Sequence, residues 1–180
     1  MRMQHLISTA AFLLLIWSCN GHTLDIPEPL PGCGTKPEQP ADPEPGTKVV
    51  RVSSADEVAA LGEVAAGTEI VWSKGLFADQ TVTLKAAGTA ENPVVLRAEE
   101  PGEVRFTGTS RLAVKGSGVV VRDFWWQNPV AVKGNAVITL DRGSEGCIVE
   151  QCAITGDKTA QAADIDAKWV SLYGRNHTVR

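Results

Sequence analysis

The residues best suited to chemistry sit late in the chain. Lys168, Arg175 and Arg180 bring three cations close to Trp169 and Tyr173. Such a mixture suits an acidic sugar: a cation pairs with the carboxylate while a ring stacks on the pyranose face. In Trp169-Val170-Ser171-Leu172-Tyr173, alternation puts Trp169, Ser171 and Tyr173 on one face and Val170 and Leu172 on the other. If valine and leucine face a core, the aromatics face out; aromatics stacked inside are the alternative. Asp157, Asp164 and Asp166 cluster just upstream. Carboxylates in such a set can serve acid–base hydrolysis or hold calcium, but the alternating oxygen ligands around a glycine that mark a calcium loop are missing. An acidic external turn is the simpler reading. His177 is the one histidine beyond His22. A Ser–His–Asp relay would have to be built on it, and it reads instead as a surface or lane residue. The sequence holds no His-Glu-x-x-His, phosphate-cradling glycine loop or serine elbow.

These residues need a frame, and composition bounds it. Of 180 residues 43% are hydrophobic and 21% charged, enough for a core, and the net charge of −4 argues against a nucleic-acid partner. Residues 1–19 read as a secretion signal: Arg2 is followed by the apolar run Ala10–Trp17, too short to span a membrane stably. Ile16-Trp17-Ser18-Cys19 resembles a bacterial lipoprotein processing box, which would leave a lipidated Cys19 at the mature N-terminus; ordinary cleavage is the alternative. Asn20–Lys48 carries seven of the ten prolines and reads as an extended tether. The expected location is therefore outside the cytoplasm, as an outer-membrane or cell-surface lipoprotein or in the periplasm. Cys33 falls in the tether. Cys147 and Cys152 lack the partners of a zinc site and, on one strand, the geometry of a good bridge. They read as buried small hydrophobes.

From residue 49 onward the pattern is almost wholly of strands. Ser54 as N-cap with Glu57 three residues on forms a capping box, and Val58, Leu61 and Val64 then follow at helical spacing up to Gly67. One helix of about three turns ahead of an all-strand body suggests a cap. After it come short runs at Ile70–Trp72, Thr81–Leu84, Val94–Ala98, Val104–Phe106, Leu112–Val114, Val119–Trp126, Val137–Leu140, Cys147–Ile154 and Trp169–Tyr173. Val119–Trp126 reads as one strand covered on both faces, with Trp125 and Trp126 pointing opposite ways. Tight-hairpin signals are few. Val95, Val120 and Ile148 occupy similar runs 25 and 28 residues apart, Val114 and Ile138 are 24 apart, and Val104 to Gly134 spans a similar interval. A rung of roughly 22–30 residues with two or three short strands is the period of a right-handed parallel β-helix. A β-sandwich with irregular loops is the competitor.

Longer stretches resemble a known family. Gly88-Thr89-Ala90-Glu91-Asn92-Pro93-Val94-Val95-Leu96-Arg97-Ala98-Glu99 with Pro101-Gly102, then Thr107–Leu112, Val119–Trp126 and Lys168-Trp169-Val170-Ser171-Leu172-Tyr173-Gly174-Arg175-Asn176, are similar in order and spacing to the early rungs of polysaccharide lyase family six, which contains chondroitinase B and alginate lyases. The resemblance covers roughly residues 49–180. It implies a β-helix enzyme that cleaves uronate-containing polysaccharide, alginate or chondroitin/dermatan sulfate, by β-elimination. It also implies a calcium ion that helps neutralise the uronate carboxylate, a lysine base and an arginine acid. In the family those ligands and catalytic groups come on later rungs. No position here matches them, so no catalytic or metal residue is assigned, and Lys168, Arg175 and Arg180 are not promoted to those roles. The chain is expected to be the front portion of such a lyase, inactive alone, with Val119–Trp126 as scaffold. The alternative is a noncatalytic surface β-helix that binds glycan or acts as an adhesin.

Overall fold

A computed structural model describes residues 47–156 and 168–180. The signal-like segment with Cys19, the tether with Cys33 as far as residue 46, and the acidic turn of Asp157, Asp164 and Asp166 lie outside the described residues; Lys48, read from sequence as the end of the tether, is already in a strand. The strands form three parallel sheets. Sheet A contains β1 (Lys48–Val52), β3 (Thr68–Trp72), β6 (Val94–Ala98), β9 (Val119–Arg122), β12 (Ile148–Glu150) and β15 (Thr178–Val179), stacked in that order. Sheet B contains β2 (Glu63–Ala65), β5 (Thr81–Ala87), β8 (Arg111–Ser117), β11 (Ala136–Leu140) and β14 (Lys168–Leu172). Sheet C contains β4 (Gly75–Ala78), β7 (Val104–Thr107), β10 (Phe124–Gln127) and β13 (Ala153–Thr155). The chain visits A, C and B in turn, so each circuit adds one strand to every sheet. This is a parallel β-helix.

Side-chain alternation explains the stack. In each strand every second residue points inward onto the equivalent residue of the next rung, and β-branched and aromatic side chains fill such columns well. Ile70, Leu96 and Val121 form one buried column of sheet A, and Leu84, Val114 and Leu140 one of sheet B. Under sheet C the core is aromatic. The Phe106 ring lies 5.1 Å from Trp72, 5.4 Å from Trp126, 5.7 Å from Phe124 and 6.0 Å from Phe77, centre to centre. The register Val95–Val120–Ile148 is the one expected from their spacing. Two other intervals are out of phase: Val114 pairs with Leu140, while Ile138 pairs with Leu112, and Val104 pairs with Phe124 rather than lying over Gly134.

The first circuit differs. Between β1 and β2 the chain forms a helix, α1 (Ala55–Ala60), where later circuits have a strand of sheet C. Ser54 caps it, its hydroxyl accepting from Glu57 N–H at 3.2 Å, and Val58 is buried against the core. The Glu57 carboxylate reaches back one residue further than a standard capping box, accepting from Ser53 N–H at 2.6 Å. The helix has six residues rather than three turns, because Gly62 at φ +66° stops it; Val64, which fits the helical spacing, belongs to β2.

The corners are unequal. From A to C, Asp123 (φ +72°) and Gln151 (φ +51°) bend the chain in the left-handed region, which splits Val119–Trp126 and Cys147–Ile154 into two strands each. From B to A the passage can be tight: Gly118 alone separates β8 from β9. Gly116 beside it has φ +119°, and a Cβ there would lie 1.8 Å from the Ala86 carbonyl oxygen, so no other residue fits without moving the rung below. From C to B the connections grow along the stack. They run to two residues after β4, three after β7, eight after β10 and twelve after β13.

Candidate binding groove

The outer face of sheet B is built as a trough along the helix axis. Its middle column is short: Thr83, Ala113, Thr139 and Ser171 follow one another in register. Longer side chains flank it. On one side Glu63, Lys85 and Lys115 are paired in register, with Asp141 and Tyr173 continuing the column just past the ends of β11 and β14. On the other stand Thr81, Arg111, Val137 and Trp169, of which Arg111 and Trp169 are the long ones and Val137 is buried in the crevice it shares with Val132 and Asn135. Arg111 and Lys115 are four residues apart on β8, which sets the rims about 13 Å apart at 3.3 Å per residue. The small floor between the Lys85–Lys115 column and Arg111 leaves room for a polymer lying along the axis.

Electrostatics distinguish this face from sheet A. Outward arginines of sheet A all have acidic partners: Arg51 with Glu99 at 2.8 Å, Arg97 with Glu69, Arg122 with Asp123 at 3.6 Å and Arg180 with Glu150 at 2.8 Å. Those pairs neutralise the ladder. On sheet B only one ion pair is formed among these rim residues, Lys115 with Asp141 at 3.6 Å. Lys85 is exposed, and neither it nor Arg111 has an ion-pair partner among the described residues. Arg142, at the end of the trough, lies over Tyr173 with its guanidinium carbon 5.6 Å from the ring centre. In a protein of net charge −4 the trough therefore carries an excess of cations.

The residues singled out from sequence are only partly gathered. Trp169 and Tyr173 do face outward, and Val170 and Leu172 continue the inward columns of Ile138 and Leu140. The late basic set is split: Arg175 binds Glu145 at 2.7 Å at the B-to-A corner, Arg180 belongs to sheet A, and Lys168 lines a crevice with Arg111 and Asn135 at the C-to-B corner. The Arg175 bond holds the Glu145 carboxyl below the usual carboxylate range. Trp126 is buried and Trp125 points out, its indole 5.2 Å beneath Arg105 and its N–H donating to Thr155 Oγ1 at 2.7 Å.

His177 is a corner residue and not part of a relay. Its Nδ1 accepts from Cys147 N–H at 3.2 Å, so Nε2 carries the proton and donates to the Tyr173 carbonyl at 2.6 Å. Ser144 Oγ is 3.2 Å from Nε2 but faces a nitrogen already used as a donor, and no carboxylate sits on Nδ1. Cys147 and Cys152 are free thiols; Cys147 is buried as expected, while Cys152 at the open end of the stack is only half-buried, and desolvation pushes its thiol up to about 12. Among the described residues no three His, Cys, Asp or Glu side chains come together, so these rungs do not fit the calcium site that the fold family implies. Sequence reasoning overlooked Lys85, Arg111 and Lys115. Lys85 and Lys115 are 30 residues apart in the chain, and only the rung register makes them neighbours.

Comparison with known proteins agrees with this architecture. The family model described as chondroitinase B matches residues 52–180. No curated protein gives a significant match. Among solved structures the PL6 family alginate lyase AlyGC is similar at 25% identity and a TM-score of 0.62, over 73% of this chain and 18% of that one. A mannuronic acid specific polysaccharide family 6 lyase from human gut microbiota matches at 23% identity and a TM-score of 0.62, over 74% of this chain and 33% of that one. A PL6 family polysaccharide lyase from Pseudopedobacter saltans matches at 24% identity and a TM-score of 0.61, over 73% and 30%. The chain thus spans a third or less of the length of these enzymes, and the last two likenesses bear on fold alone. With three parallel sheets in register and a family match over most of its length, this chain belongs to the chondroitinase B family of polysaccharide lyases.

Proposed function

We propose that the full-length protein cleaves a uronate-containing polysaccharide by β-elimination, with alginate and chondroitin or dermatan sulfate as the substrates to compare. The observation that carries this reading is the cation-rich trough of sheet B, in a chain of this family. In such a reaction a base removes the proton at C5 of the uronate while the C4 oxygen leaves. Cations that bind the carboxylate make that proton more acidic, and rim residues that hold the polymer along the axis present the bond in one orientation. The described rungs supply the holding. The described rungs are assigned no base and acid pair; in this reading those groups come on rungs further along the solenoid.

Export and anchoring fit the same proposal. A lipid on Cys19 and the proline-rich segment 20–48 would hold the domain off a membrane within reach of an extracellular polymer. The test of the main reading is ultraviolet absorbance of the unsaturated uronate product, with full-length protein, calcium, and alginate or dermatan sulfate in parallel. Product from one of them is expected. Absence of product from both overturns the lyase reading for these polymers and leaves a noncatalytic glycan-binding β-helix in its place.

A further inference from the structure

We propose that the early rungs of sheet B are substrate subsites remote from the bond cleaved, where Lys85 and Lys115 take the carboxylates of consecutive uronates and Arg111 reads the opposite edge of the polymer. The inference rests on the lyase reading and adds to it a preference for long chains. Three observations lead to it.

Lys85 and Lys115 are paired in register on adjacent strands. Like charges placed directly opposite each other destabilise a sheet, and Glu63 and Asp141, which stand beyond them in the same column, offset each lysine on its far side only. A bound anion between or above them removes the repulsion. Next, the spacing fits a polymer. Neighbouring rungs are about 4.8 Å apart, close to the advance of one 1,4-linked pyranose. A chain along the trough therefore offers one sugar to each rung, over Thr83 and then Ala113, whose small side chains let the ring approach while the threonine hydroxyl bonds to it. Finally, the existing partners are weak competitors. The Lys115–Asp141 contact of 3.6 Å joins side chains that are 50% and 40% exposed, so water already screens it. Among the described residues Lys85 and Arg111 have no ion-pair partner to give up.

The experiment uses the full-length protein and the variant Lys85→Gln/Arg111→Gln/Lys115→Gln, assayed on polyuronate and on the uronate trisaccharide. The ratio of kcat/KM between polymer and trisaccharide should fall about eightfold, the product of three roughly twofold losses from exposed ion pairs. The fall should lie in KM and shrink at high salt. A matched triple variant of sheet A and the corner, Arg51→Gln/Arg175→Gln/Arg180→Gln, should leave the ratio unchanged. An unchanged ratio in the sheet B variant, or an equal fall in the sheet A variant, overturns the proposal. Electrophoresis through a gel containing polyuronate separates this from the lyase reading. If wild type forms no product but is retarded, and the sheet B variant is not, catalysis fails and the subsites stand. Equal retardation of both proteins removes the subsites whatever the activity.

Discussion

Replacing Phe106 by alanine tests the account of the core most directly. Phe106 is 3% exposed and is ringed by four aromatic side chains at 5.1–6.0 Å. Truncating a buried phenylalanine costs about 3–5 kcal/mol, the value rising with the cavity left behind. Rings do not collapse as readily as aliphatic chains, and each lost aromatic pair adds to the transfer cost. We therefore expect about 4 kcal/mol. For a chain of 180 residues each kcal/mol lowers Tm by about 2–4 °C, which gives a fall of about 8–16 °C. Phe106→Leu keeps most of the volume and loses mainly the ring contacts, so about 1.5 kcal/mol and about 3–6 °C are expected. Calorimetry gives the midpoints, and near-ultraviolet circular dichroism reports whether Trp72 and Trp126 lose their fixed surroundings. A Phe106→Ala midpoint within about 2 °C of wild type, with an unchanged aromatic spectrum, would refute a core centred on this ring. The leucine variant keeps the test decisive if the alanine variant does not fold.

Two further outcomes follow from buried ionisable groups. Burial pushes the Asp123 carboxyl up despite Arg122 and Arg97, and its Oδ2 has no hydrogen-bond partner. The folded state thus binds this proton more tightly than the unfolded state. The resulting penalty is absent below the ordinary carboxylate pKa of about 3.9, grows as pH rises through the window above it, and is complete once the folded pKa is passed. Asp123→Asn keeps a side chain that tolerates φ +72° and carries no such penalty. Its stability relative to wild type should rise between acid and neutral pH in denaturant titrations, and the opposite trend would refute the reading. Cys152, with its thiol pushed up to about 12, and buried Cys147 should resist iodoacetamide at mildly alkaline pH until the protein is denatured. Peptide mapping separates them from Cys19 and Cys33, and fast native labelling of half-buried Cys152 would contradict the raised thiol pKa.

The rungs were legible because β-branched runs announce a strand and their spacing announces a period. Val95, Val120 and Ile148 fell into one lane from sequence alone. Corners were harder to see. Asp123 sits inside an apolar run and breaks it through one backbone angle, which composition does not reveal. Val58, Leu61 and Val64 fit a helical period, yet Gly62 intervenes and Val64 is equally at home pointing inward from a strand. The trough was invisible for another reason. Its cations come from different circuits, so their proximity is a property of register. The late cluster of Lys168, Arg175 and Arg180 looked like a site through closeness in sequence, but the corner between strands sends its members to different faces.

The unequal corners carry a consequence for how such a molecule can diversify. Connections from sheet C to sheet B lengthen from two residues to twelve along the stack, and each enters sheet B at the Arg111–Trp169 margin of the trough. Added residues there leave the phase of every strand intact, because each circuit re-enters sheet B at the same lane. Elsewhere the margin for change is small: at Gly116 even a methyl group meets the rung below. The solenoid thus keeps two separate ledgers of inheritance, one for lane phase and one for the bank of the trough. A lineage can raise that bank to exclude a bulky or sulfated polymer, or lower it to admit one, without renegotiating the core.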